Sequence, residues 1–152
     1  LMRKWQMIAS IVALLFLFGE AQAGDKEDVL ARMASFYSAL NAGDADAFGL
    51  ASYTQYNVEG GLIRTRDPAR IKAWLTDAFA SGLKINVRTF HENADVYGNT
   101  AVFTCYERVR VNPPEGEPIN DTRRVTVVLV KQKGEWDTAH VHLSYLTPVN
   151  PE

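Results

Sequence analysis

His140 and His142 stand two residues apart, so a strand would present both imidazoles on one side, an arrangement zinc accepts, with His91 available as a third nitrogen. No cysteine or carboxylate sits at ligand spacing beside them, and no metal is assigned. His91 and Asp95 would share a strand face as an acid–base pair. Four residues of strand hold them about 13 Å apart at ~3.3 Å per residue, too far for a direct hydrogen bond. Cys105 is the sole cysteine, within the strand-like run Val102-Phe103-Thr104-Cys105-Tyr106. A reactive thiolate needs an activating neighbour, and none is fixed by the sequence. Cys105 reads as a small buried hydrophobe, and an intermolecular disulfide stays open in an oxidising compartment. Arg108 shares a strand face with Tyr106 and Arg110. Its planar fork can grip a carboxylate or pair with a local acid such as Glu107. Tyr37, Tyr56 and Trp74 can line a pocket or simply pack. No nucleophile elbow or phosphate loop is present, so catalytic residues and cofactors stay unassigned.

The elements that must position these residues read as helices first, then strands. Asp25 can cap a first helix, in which Val29, Met33, Phe36, Tyr37 and Leu40 form one apolar stripe. Asn41-Ala42-Gly43 ends it, and Asp44 can cap a short second helix carrying Phe48 and Leu50. Tyr53 to Thr65 reads as a short hairpin turning at Gly60-Gly61. Asp67, Pro68 and Gly82 bracket a further helix with Ile71, Trp74, Leu75, Ala78 and Phe79 as its buried stripe. Strands are predicted over 84–97, 100–111, 122–132 and 135–146. Gly98-Asn99 and Lys133-Gly134 are tight turns, and the loop from Asn112 to Pro118 is longer.

Near the N-terminus, Arg3 and Lys4 precede an apolar run from Met7 to Phe18 that only Ser10 interrupts, and then comes Ala21-Gln22-Ala23. These are the three parts of a secretory leader, and the run falls short of the ~20 apolar residues of a membrane span. The expectation is a leader over 1–23, one domain over 24–152, a periplasmic or secreted location, and no membrane contact once the leader is removed. A net charge of -2, with basic residues scattered along the chain, gives no support to nucleic-acid binding.

One strand is unusual. Val125-Thr126-Val127-Val128-Leu129-Val130 is apolar on nearly every residue, whereas a strand with one wet face alternates. Helices in so small a chain can cover only one side of such a sheet. The other side then calls for a second copy. By period two, Trp136, Thr138, His140, His142 and Ser144 share one face of the last strand, and Ala139, Val141 and Leu143 share the other. The aliphatic set suits the helix side, and Trp136, His140, His142 and Ser144 suit a homodimer interface.

The order of helix, short helix, hairpin, helix and long four-strand sheet resembles the nuclear transport factor 2-like superfamily, which includes SnoaL-like domains and the association (hub) domain of calcium/calmodulin-dependent protein kinase II. Gly134 to Ser144 is similar to the Gly-x-Trp-x-x-x-His-x-His-x-Ser strand that ends the hub. Tyr106-Glu107-Arg108-Val109 looks like its Tyr-x-Arg-aliphatic strand, and Asn41-Ala42-Gly43-Asp44 like its Asn-x-Gly-Asp. The resemblance implies an α+β, cystatin-like cone: a curved sheet wrapped on a long N-terminal helix with two further helices, open at one end as a pocket. It implies a dimer or ring through the outer sheet face. It also implies a pocket arginine at Arg108 able to accept a small carboxylate. A second hub arginine corresponds to Leu143, and a third has no secure match, although Arg123 and Arg124 lie nearby. No kinase part is present, so no kinase activity carries over.

Three function classes follow. The first is an exported homo-oligomeric binding or scaffold domain holding a small anionic ligand through Arg108, with Tyr106, Tyr37, Trp74 and Tyr56 around it. The second is a SnoaL-like isomerase, cyclase or dehydratase, which requires a base of tuned pKa deep in the cone. The third is an immunity-type protein that blocks a partner. Whether the chain is an enzyme is left open.

Overall fold

The computed structural model describes residues 24–48, 52–58, 60–65 and 67–146. The expected leader over 1–23 and Leu50 lie outside the described residues. Helix α1 spans 24–42 and is followed by a 3-10 turn at Ala45–Phe48. Strands β1 (Tyr53–Tyr56) and β2 (Leu62–Thr65) form the hairpin, and α2 spans Pro68–Ala80. Then come β3 (Lys84–Tyr97), β4 (Thr100–Asn112), β5 (Ile119–Gln132) and β6 (Glu135–Tyr145). Among the described residues no helix is long and apolar enough to cross a membrane.

The six strands make one sheet in the order β2-β1-β6-β5-β4-β3, open at both edges. All neighbours are antiparallel except β1 and β6, which run parallel. The hairpin thereby returns to the far side of the last strand and lengthens the sheet across the mouth of the cone. Lys133 and Gly134 have φ of 52° and 90° between β5 and β6. Two consecutive positive φ values are what a two-residue hairpin turn of the right twist requires.

Local chemistry explains the element ends. Gly43, at φ 68°, stops α1, with its N–H donating to the Leu40 carbonyl and the Asp44 N–H to Ala39. The Asp44 carboxylate accepts from the N–H groups of Asp46 and Ala47, and Asp67 caps α2 by accepting from Arg70. Asp25 lies inside α1 instead of capping it and forms an ion pair with Lys131 on β5. The Asn41 side chain donates to the Val87 carbonyl and accepts from the Val87 N–H, at 3.0 and 2.6 Å. This two-point bond ties the C-terminal end of α1 to the edge strand β3 and occupies backbone groups an edge leaves open.

Helix α1 lays Val29, Met33 and Tyr37 on the inner sheet face, against Ala94, Ala101, Phe103, Val127, Leu129 and Trp136. Phe48 anchors a second cluster to which Leu75 and Phe79 of α2 attach. The apolar stripe expected on α2 is therefore only partly used. Trp74 is 63% exposed, and no residue of this helix is fully buried, because α2 packs chiefly through Leu75 and Phe79 on the cluster of Ala39, Ala45 and Phe48.

The last strand departs from strict alternation. Register passes from Val128↔His140 to Leu129↔Thr138, so Ala139 is an extra residue. A one-residue bulge inverts the facing of everything beyond it. Val141 and Leu143 face inward as expected, and His140, His142 and Ser144 face outward. Trp136 does not join them: it is 4% exposed and belongs to the inner core. Its assignment to an outer interface is corrected by this bulge. Phe103→Ala is expected to cost about 3–5 kcal/mol in urea unfolding, since Phe103 is 1% exposed between the helix and the sheet. Trp74→Ala is expected to stay within about 0.5 kcal/mol.

Candidate functional site

The inner face of the curved sheet and α1 enclose a cavity of about 220 Å³. Its wall is chiefly apolar: Met33, Phe36 and Leu40 from the helix, Val109, Val125 and Val127 from the sheet. Seven polar side chains also line it: Arg32 and Tyr37 from α1, Tyr53 and Gln55 from β1, Glu107 from β4, Arg123 from β5 and Thr138 from β6.

Glu107 is the chemically distinct member. Along β4 the inward positions are Ala101, Phe103, Cys105, Glu107 and Val109, so a carboxyl occupies one place in an otherwise apolar row. It is 7% exposed, and its Oε1 accepts from the Tyr37 hydroxyl at 2.6 Å. Burial pushes the Glu107 carboxyl above the usual range, while the Tyr37 hydrogen bond and the Arg123 charge pull it back in part. Burial, reinforced by the Glu107 charge, pushes the Tyr37 phenol up, so it stays a neutral donor. The Cys105 thiol, 3.5 Å from the Tyr37 oxygen, is pushed up to about 12 by burial. It is a buried thiol, not an activated nucleophile.

Arg123 is the register partner of Glu107 on β5, yet its Nη2 pairs with Asp121 at 2.7 Å. Its Nε is buried and has no hydrogen-bond partner. An orphaned buried donor costs free energy unless something fills the place of the missing acceptor. The cavity thus joins a carboxyl whose pKa burial raises, a neutral phenol that orients it, and an arginine Nε without a hydrogen-bond partner.

Of the five residues named from sequence for a pocket, Tyr37 lines the cavity. Arg108 and Tyr106 do not: both alternate with Glu107 and face outward from the opposite side of β4. The expectation that Arg108 grips a ligand in the cone is corrected on this ground. Trp74 is exposed on α2, and Tyr56 is 44% exposed, its ring edge-on to His140 and His142 on the outer face. Thr54 and His140 share a hydrogen bond there, Oγ1 to Nδ1, at 2.7 Å. Among the described residues no three metal-binding side chains converge. Glu107 and Arg123 were legible in the sequence as site members through period two alone: each is a charge at an inward position of its strand.

The raised Glu107 carboxyl makes stability depend on pH with a definite sign. Below the ordinary glutamate range both folded and unfolded chains are protonated there and nothing is lost. As pH rises, the unfolded chain releases its proton first, so stability falls until pH passes the raised folded value. Glu107→Gln is expected to remove this fall, of up to about 1.4 kcal/mol per pH unit, in urea titrations between pH 4 and 8. Parallel pH profiles for wild type and variant would contradict it.

With that geometry in hand, comparison with known proteins places the chain. A family model described as the SnoaL-like domain matches residues 29–148. Among curated proteins, none matches the sequence significantly. Several solved structures share the fold. A nuclear transport factor 2-like superfamily protein from Salmonella enterica is 15% identical, with a TM-score of 0.67 over 86% of this chain and 99% of that one. The association domain of calcium/calmodulin-dependent kinase II from C. elegans is 19% identical, TM-score 0.62, covering 82% of this chain and 98% of that one. A proposed dehydratase of the same family from Streptomyces avermitilis is 16% identical, TM-score 0.66, over 82% and 98%. At these identities the likeness establishes the cone and its open sheet, and the family match goes further: this chain belongs to the SnoaL-like domain family within the nuclear transport factor 2-like fold.

Proposed function

We propose that the cavity binds a small, largely apolar molecule with one carbonyl or hydroxyl end and moves a proton on it, as an isomerase or dehydratase does. The observation that carries this reading is a carboxyl raised by burial and hydrogen-bonded at 2.6 Å to a neutral phenol, inside a cavity walled chiefly by apolar side chains. A carboxyl with its pKa moved toward neutrality is an effective general base or acid. Glu107 would take a proton from the carbon beside the carbonyl, and the Arg123 Nε would stabilise the negative charge that collects on the carbonyl oxygen. Returned to a neighbouring carbon, that proton completes an isomerisation. Delivered to a β-hydroxyl, it releases water. A proposed dehydratase among proteins of this fold is in keeping with the second outcome.

We also propose that the chain assembles with itself, as the hub-like neighbours do, by the outer face of β6 around His140, His142 and Ser144, and that it is exported after loss of residues 1–23. An exported product whose intact mass begins at Gly24 is expected. So is a particle larger than one subunit in analytical ultracentrifugation at micromolar concentration.

The chemistry is tested with a panel of apolar β-hydroxy ketones, followed by the rise of enone absorbance. Glu107→Gln is expected to lower kcat/KM about 10²–10⁴-fold, and Tyr37→Phe to shift the acidic limb of the pH–rate profile to higher pH, because the Glu107 carboxylate loses the hydrogen bond that stabilises it. Turnover that survives Glu107→Gln would remove the proposed base.

A further inference from the structure

The outer sheet face carries a charge cluster that the scattered positions of basic residues in the sequence conceal. Arg88 on β3 and Arg108 on β4 are direct register partners. Arg110 follows two residues along β4. Arg124 on β5 is in register with Tyr106, which places it diagonally beside Arg108. All four are exposed. Arg110 donates to the Asn112 side chain and Arg124 to the Tyr145 carbonyl. Among the described residues, none of the four has a carboxylate within ion-pair distance. Like charges set directly opposite on adjacent strands destabilise a sheet. Among the described residues no carboxylate offsets the Arg88–Arg108 pair.

Both guanidinium groups instead rest on one ring. The Arg88 Cζ lies 5.1 Å and the Arg108 Cζ 5.9 Å from the centroid of Phe90. Cation–π contact holds the guanidinium planes and restricts their rotamers while leaving N–H edges for an acceptor. From these facts we infer that the outer face over β3, β4 and β5 docks an acidic segment of a partner protein through its Asp or Glu carboxylates.

Spacing and charge select this occupant. Arg108 and Arg110 repeat at about 6.7 Å along β4, which is also the repeat of alternate side chains in an extended peptide. A segment with acids at every second residue therefore matches two arginines in turn, each able to take a carboxylate by two parallel hydrogen bonds. A single-stranded nucleic acid would need free ring faces for its bases, and Phe90 is already occupied by both arginines. The patch is centred on β3 and β4 and meets the self-assembly seam proposed above only at its edge, where Arg124 is the register partner of Ser144 on β6. The inference does not rest on the cavity chemistry.

The probe is a fluorescein-labelled octapeptide alternating Glu and Ser, with a Gln–Ser octapeptide as its neutral counterpart. Fluorescence anisotropy at low salt is expected to show binding of the acidic peptide alone, weakening as NaCl screens the contact. Arg88→Gln/Arg108→Gln is expected to weaken it at least tenfold while raising Tm, because the opposed charges are relieved. Arg64→Gln, an exposed arginine on β2, is expected to leave binding unchanged. No binding of the acidic peptide to wild type, or undiminished binding to the double variant, would overturn the inference. So would tighter binding of oligo-dT or anionic lipid vesicles than of the peptide. A changed sedimentation coefficient for the double variant would assign the arginines to contact between copies of the chain instead.

Discussion

One helix has to close the inner face of a six-stranded sheet whose longest strands run to 14 residues. The apolar stripe of α1 covers the middle of that face, and the rest stays open because the sheet curves around the helix. An unfilled apolar space would ordinarily be removed by collapse, since empty volume forfeits dispersion contacts. Here the two-point bond from Asn41 to Val87 fixes the end of α1 against the edge of the sheet beside the cavity. The cavity is thus a consequence of geometry, and whatever side chains face inward near the end of the helix become its chemistry.

That constraint gives the polar residues their properties. Glu107 would be an ordinary surface carboxylate one residue earlier or later in β4. At its own position it is enclosed by aliphatic walls, and the desolvation that raises its pKa is tolerated because the Tyr37 hydroxyl satisfies one oxygen. Tyr37 in turn is fixed by helix packing and by its edge contact with Phe36. Arg123 balances part of the charge across the β4–β5 ladder without closing an ion pair with Glu107, which leaves its Nε available.

The two faces of the sheet divide the chemistry cleanly. Inward positions carry Glu107, Asp121 and Arg123 among chiefly apolar residues. Outward positions carry four arginines, Phe90, Tyr106 and the two histidines of β6. Bulges decide the division as much as alternation does. His91, with φ 56°, lies within the register shift between Phe90 and Asn93, where β3 spends two residues against Cys105 alone. The corresponding extra residue on β6 is Ala139.

Element types, their order and most turns were fixed locally, by the helical stripe of α1, the caps at Asp44 and Asp67, and the glycines that accept positive φ. Period two within β4 sets Glu107 in line with Ala101, Phe103, Cys105 and Val109, and Arg108 on the other face. Resemblance to the hub drew attention to the arginine instead, and the alternating row from Ala101 to Val109 was the better guide. What the chain alone could not supply was the facing of Trp136, because a bulge is set by the pairing of two strands and not by either one. Nor could it supply the exposure of Trp74, which follows from where α2 docks. The clustering of Arg88, Arg108, Arg110 and Arg124 was equally hidden, since these residues are distant in sequence and meet only when register aligns three strands.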